Sequence, residues 1–167
     1  MITNSLIARD QHTFARPEEV VVSHLSLQLQ LDFEQKIASG TAKLDLVRKT
    51  KSNQVILDTK NLDILAVTLD DGRKATYKIG DEVPFLGRSL TIELLPETKF
   101  VTVKYKTTKS SDAVQWLDPE QTFGKKHPFL FTQGQAILTR TWIPLQDSPG
   151  IRFTWDATVT LPKELLA

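Results

Sequence analysis

The sequence predicts an all-β domain, and three features carry the prediction. Apolar residues recur at every second position through most of the chain. Asn, Asp, Gly and Pro clusters break these runs at intervals of roughly 8–15 residues. No stretch of ordinary helix length carries the apolar period of about 3.6 that an amphipathic helix needs. One sheet could not bury so many apolar faces, so packed antiparallel sheets are expected, in a sandwich-like arrangement over one 167-residue domain.

The elements follow in chain order. Residues 1–19 show no periodicity and end in Arg16-Pro17-Glu18-Glu19, which reads as a surface arm laid on the domain. A long half-buried strand starts at Val20. Val21, Leu25, Leu27, Leu29, Leu31 and Phe33 share one face with Ser23 interrupting it, and His24, Ser26, Gln28 and Gln30 share the other. Gln35 to Val47 repeats the alternation, with Ala42, Leu44 and Leu46 inward and Gly40 suited to a bulge or a close backbone approach. A turn over Lys49 to Asn53 leads to a short strand, Gln54 to Asp58. Leu62 to Leu69 ends at Asp70-Asp71-Gly72, a hairpin signal whose return strand would be Ala75 to Ile79. Ser89 to Leu95 and Phe100 to Thr107 alternate again. Residues 108–128 are polar and read as a long loop. The last strand, Gly150 to Leu161, would place Ile151, Phe153, Trp155, Ala157, Val159 and Leu161 on one face, and Pro162 ends it.

Composition removes several classes of function. Lys plus Arg total 21 and Asp plus Glu total 20, a net charge of +1, so the basic stripe of a nucleic-acid binder is absent. Cysteine is absent too, which excludes disulfides, thiolate–zinc sites and a cysteine nucleophile, and fits a cytoplasmic setting. The N-terminus lacks a signal-peptide apolar run. No segment has the ~18 consecutive apolar residues of a membrane span, so no membrane partner is expected.

A self-contained catalytic site does not emerge. His12, His24 and His127 have no metal-ligand spacing, and HExxH is absent, so no metal ligands are assigned. There is no GxSxG elbow, no glycine-rich phosphate cradle and no identifiable glycosidase carboxylate pair, so no catalytic residues are assigned either. The distinctive segment is FLFTQGQAILTRTWIPLQDSPG, Phe129 to Gly150. Gln133 and Gln135 are two apart, so an extended backbone would point both carboxamides to one side. A carboxamide accepts and donates without carrying charge, and Gly134 would let backbone approach a ligand or another domain. The residues alone equally permit both glutamines merely to satisfy nearby loop backbone. Pro144, Asp147, Ser148 and Pro149 make the following loop look architectural.

The run from Ala113 to Ala167, AVQWLDPEQTFGKKHPFLFTQGQAILTRTWIPLQDSPGIRFTWDATVTLPKELLA, resembles the end of the N-terminal domain of zinc aminopeptidases. The similarity is to the leukotriene-A hydrolase branch and its bacterial aminopeptidase relatives. The opening DQHTFARPEEVVVSHLSLQLQLDF fits as well, so the resemblance spans nearly the whole chain. It implies a saddle-shaped all-β domain covering a thermolysin-like catalytic domain. That domain would supply HExxH, a distal glutamate, a GxMEN segment and a tyrosine, none of which this chain carries. Zinc is accordingly expected in the catalytic domain of a parent polypeptide and no cofactor in this segment, with residues 162–167 beginning the linker.

By resemblance, Gln135 reaches toward the free α-amine and first carbonyl of a peptide substrate, while Gln133 and Ala136 shape the pocket for its first side chain. A cysteine of the vertebrate epoxide hydrolase is replaced here by Gly134, and Leu138-Thr139 departs from a histidine-containing segment there, so peptide hydrolysis is the expected activity of the parent. The expected partners are a peptide N-terminus and the catalytic domain of the same polypeptide. The isolated segment is expected to be inactive. The competing reading is a free-standing β-sandwich module that binds protein or carbohydrate. A broad apolar surface patch favours the first reading, and an aromatic-lined groove in a polar surface favours the second.

Overall fold

The computed structural model describes residues 9–166. Residues 1–8 of the expected arm and Ala167 of the expected linker lie outside them. Ten strands form among the described residues: β1 Val20–Asp32, β2 Ile37–Arg48, β3 Gln54–Thr59, β4 Leu62–Leu69, β5 Tyr77–Ile79, β6 Arg88–Glu93, β7 Phe100–Thr107, β8 Val114–Leu117, β9 Phe129–Thr132 and β10 Thr154–Thr160. A five-stranded sheet runs β10-β1-β2-β7-β4, a three-stranded sheet runs β3-β6-β5, and β8 pairs with β9 in a separate ribbon. One core fills the space between the two larger sheets. Leu27, Leu29, Leu44, Val101, Val103 and Tyr105 enter it from the first, Val55, Leu57, Leu90 and Ile92 from the second, and Ile143 and Leu145 from a loop.

Strict alternation from Val20 onward fails at one place. The β1–β2 register shifts between Val22 and His24, so Ser23 is the extra residue of a bulge. The bulge resets the side-chain phase. Val20 and Val22 are buried upstream, Leu25, Leu27 and Leu29 downstream, and Val21 is only half-buried where the alternation placed it inward. Of the two alternatives for Gly40, the close approach is the one formed. A Cβ there would lie 1.8 Å from the carbonyl oxygen of Gln28 on the paired strand.

Three other expectations are corrected. The Asp70-Asp71-Gly72 turn forms, with the Gly72 amide donating to Leu69 O and Gly72 at φ +84°. Its return leg, however, keeps only a bridge from Lys74 to Thr68 before crossing to the second sheet, where β5 pairs with β6. The polar stretch 108–128 is not one loop. It contains β8 and two short 3-10 turns, Pro119–Gln121 and Phe123–Lys125. Four residues are too few for alternation to register, and β8 is defined by its pairing with β9. Finally, β10 runs parallel to β1, with Leu25 opposite Trp155, Leu27 opposite Ala157 and Leu29 opposite Val159. Periodicity is blind to strand direction, and the long excursion before β10 provides the crossover that a parallel pair requires.

This register puts Trp155, Ala157 and Val159 on the core-facing side of the sheet, yet the second sheet does not reach them. Trp155 is 68% exposed and Val159 36%. The expected apolar face of the last strand exists, but it is uncovered. It continues into an apolar cleft of about 250 Å³ bounded by Leu31, Phe33, Phe129, Trp142, Leu161 and Leu165.

Candidate functional site

The segment after β9 is ordered by backbone and by buried side chains, not by its two glutamines. The Gln133 amide donates to Ala113 O at 2.8 Å, which ends the ribbon. The chain then turns, with the Leu138 amide donating to Gly134 O at 2.8 Å and a cis peptide between Gln135 and Ala136. Gly134 fits because a Cβ would stand 2.2 Å from Thr139 Oγ1. The extended course that would align both carboxamides is therefore not taken. Gln133, Gln135 and Ala136 are all exposed. Gln135 and Ala136 line a shallow depression with Thr139, Gln146, Ser148 and Phe153, and Gln133 stands outside it.

Directly after the turn, Thr139–Thr141 forms a single 3-10 turn whose central residue, Arg140, is completely buried. Its guanidinium makes four hydrogen bonds. Nε donates to Asp147 Oδ2 at 3.1 Å, Nη1 to Leu86 O at 3.0 Å, and Nη2 to His12 O at 2.8 Å and Asp147 O at 2.7 Å. Asp58 Oδ1 lies 3.7 Å from Nη1. Asp58 itself accepts from Thr13 Oγ1 at 2.5 Å and from the amides of Phe14 at 2.7 Å and Asp147 at 2.9 Å. Burial pushes the Asp58 carboxyl up, while Arg140 and these three donors pull it back. The arm is thereby fastened into the domain, with Thr13 and Ala15 buried, and is more than a surface covering.

The loop also joins the two sheets. The Asp58 amide donates to Leu145 O at 2.7 Å and the Lys60 amide to Arg140 O at 2.9 Å, so residues 140–145 line the free edge of β3. Gln146, 1% exposed, accepts from the Val22 amide at 3.0 Å and donates to Val20 O at 2.9 Å and Ile56 O at 3.4 Å. It occupies the edge of β1 just before β10 begins to pair there at His24. The loop's architectural character was legible in its prolines and Asp147. The roles of Arg140, Asp58 and Gln146 were not, because a charged or amide side chain in sequence reads as solvated until its partners are placed.

The histidines are scattered. His24 sits at the β1–β10 junction, Nδ1 2.7 Å from Thr154 Oγ1 and Nε2 2.8 Å from Asp156 Oδ2. That contact holds the Asp156 carboxyl below its usual range, with Ser26 adding to the effect. His127 is exposed. Among the described residues no three His, Asp or Glu side chains lie close enough together to hold a metal ion. No helix among the described residues is long and apolar enough to cross a membrane.

Known proteins share this fold. A family model described as the peptidase M1 N-terminal domain matches residues 21–167. Leukotriene A-4 hydrolase of Xenopus laevis is 38% identical over 165 residues, which cover 95% of this chain and 27% of that protein. Leucine aminopeptidase 2 of Yarrowia lipolytica is 36% identical over 154 residues, covering 90% and 24%. The structure of leukotriene A4 hydrolase from Saccharomyces cerevisiae superposes with a TM-score of 0.84 at 32% identity, covering 91% of this chain and 25% of that one. The chain thus spans about a quarter of the length of the curated relatives it matches. With its all-β build and this similarity along nearly its whole length, the chain belongs to the peptidase M1 N-terminal domain family.

Proposed function

We propose that this chain is the substrate-facing and scaffolding domain of a cytoplasmic zinc aminopeptidase, and that Gln135 receives the N-terminus of the peptide. The observation that carries the reading is an uncommitted carboxamide on an anchored turn. Gln135 is exposed on a segment whose neighbour Arg140 is immobilised by buried polar contacts. Its Oε1 would accept from the α-ammonium, and its Nε2–H would donate to the first carbonyl as negative charge grows there. Ala136 and Gln133 would border the first side chain. Zinc, held by the catalytic domain, would supply the activated water and the Lewis acid. Gln135 would orient the substrate and take no proton.

The uncovered apolar face along Trp155 and Val159, continuous with the cleft at Phe129 and Trp142, supports a domain that packs against further polypeptide. We assign that role to the catalytic domain.

The test is Gln135→Ala in the full-length peptidase with amino-acid arylamides. The expected loss in kcat/KM corresponds to about 2–4 kcal/mol if the bond forms mainly in the transition state. Unchanged kinetics would remove Gln135 from the site. The purified 167-residue chain, loaded with metal, should show no turnover. Activity there that persists in Gln135→Ala would make the segment an enzyme in its own right.

A further inference from the structure

We propose that Arg140 is a positioning residue for the Gln135–Ala136 wall, acting without touching substrate. This rests on the substrate-facing reading given above.

The turn that presents Gln135 is irregular, so no strand ladder holds it. Its downstream leg is held by side chains instead. Thr141 Oγ1 donates to Leu138 O at 2.7 Å and accepts from the Ala113 amide at 3.1 Å, closing the turn against the start of the ribbon. Arg140 then ties the same leg to three separate parts of the chain. These are the arm through His12 O, the β5–β6 connection through Leu86 O, and the loop beyond through Asp147. Only a planar guanidinium delivers bonds in these directions from one side chain, and lysine, with one compact ammonium, cannot span them together. Loosening this leg moves Gln135, which is five positions upstream, without removing any group that meets the peptide. A displacement of about 1 Å at a positioning group is enough to cost up to ~10²-fold in rate.

A double-variant cycle in the full-length peptidase tests this. Gln135→Ala is expected to lower kcat/KM by about 10²-fold. Arg140→Lys is expected to lower kcat by roughly 10-fold with a smaller change in KM. Combined, the two should be no worse than Gln135→Ala alone, because a misplaced glutamine cannot be lost twice. Amide exchange gives the non-kinetic readout. Leu138 and Thr141 should exchange faster in Arg140→Lys, with Leu44 and Val103 in the central strands unchanged.

If Gln135→Ala has no effect, the substrate-facing reading fails and this inference falls with it. If Gln135→Ala is damaging, the reading survives and Arg140 is judged separately. Arg140→Lys that leaves kcat unchanged, adds its full factor to Gln135→Ala, or accelerates exchange everywhere alike overturns the positioning role. Should Arg140→Lys fail to fold, Asp147→Asn carries the same cycle. It keeps the bonds to His12 and Leu86 and weakens only the carboxylate side of the clamp, and the same outcomes decide.

Discussion

Replacing Gln146 by leucine should strip a hydrogen-bonded seam between the two sheets while keeping the side chain's bulk. In the native protein the carboxamide satisfies the Val22 amide at 3.0 Å and Val20 O at 2.9 Å, with a weaker third contact to Ile56 O at 3.4 Å. Gln146 is 1% exposed, so water cannot take over. Each buried backbone group left unpaired costs about 1–3 kcal/mol, and two are orphaned at good geometry. Leucine's extra apolar burial returns about 1 kcal/mol. The net loss is therefore about 1–5 kcal/mol. With a urea slope of about 2 kcal/mol/M, the midpoint of unfolding should fall by about 0.5–2.5 M. Gln146→Glu discriminates further. The protonated acid can still donate to Val20 O and accept from the Val22 amide, whereas the carboxylate faces two carbonyls in a buried site. Its folded pKa is then raised, so its stability is fully present below the unfolded value and lost as pH rises through the folded one. The glutamate variant should approach the native midpoint in acid and fall away toward neutrality. A leucine variant whose midpoint moves by less than ~0.3 M at unchanged slope would refute the argument.

Two further outcomes follow from the same geometry. The Asp156 carboxyl is held below its ordinary value of 3.8, first by His24 and then by Ser26. Its contribution to the β1–β10 junction is therefore present above that value and lost as pH falls through the folded pKa. Carboxyl carbon shifts should show the depressed titration, and His24→Ala should move it upward; identical curves would discard the pairing. Gly40→Ala drives a Cβ to within 1.8 Å of Gln28 O and 3.1 Å of the Leu29 Cα, backbone atoms that no rotamer change can move. A loss of roughly 2 kcal/mol or more is expected in thermal unfolding, and a native-like Tm would show that the strands have room.

How much was legible in the sequence depends on which interactions define each feature. Alternation in Ala42 and Leu44, or in Leu90 and Ile92, is imposed by burial on one face, and these residues lie in the core as expected. Alternation cannot locate a bulge, because one inserted residue looks like noise. Ser23 was visible as an interruption, but its consequence, the exchange of Val21 for Val22, needed the partner strand. Nor does it encode direction or sheet membership, and so the parallel pairing of β10 and the departure of β5 to the second sheet were hidden. In the candidate site, the residues alone singled out Gln133 and Gln135, and Ala136 entered through the family resemblance; Gln135 and Ala136 share one depression. The expectation that Gln133 would point the same way assumed an extended chain, and the Leu138–Gly134 hydrogen bond bends it instead.

The residues that sequence missed explain what holds the Gln135–Ala136 turn in place. A strand commits its amides and carbonyls to neighbours and sends consecutive side chains to opposite faces, so it cannot offer adjacent residues such as Gln135 and Ala136 to one ligand. A turn can, but it forfeits the ladder that would keep it still. The missing rigidity must come from side chains, and buried charged groups supply it only when nearly every donor and acceptor is matched. Arg140 meets that condition with four hydrogen bonds from its guanidinium, and Asp58 does so with three donors. Removing either partner leaves charge stranded in the core. Matched buried charge therefore holds the loop, and the wall proposed to receive a peptide end would draw its precision from that clamp.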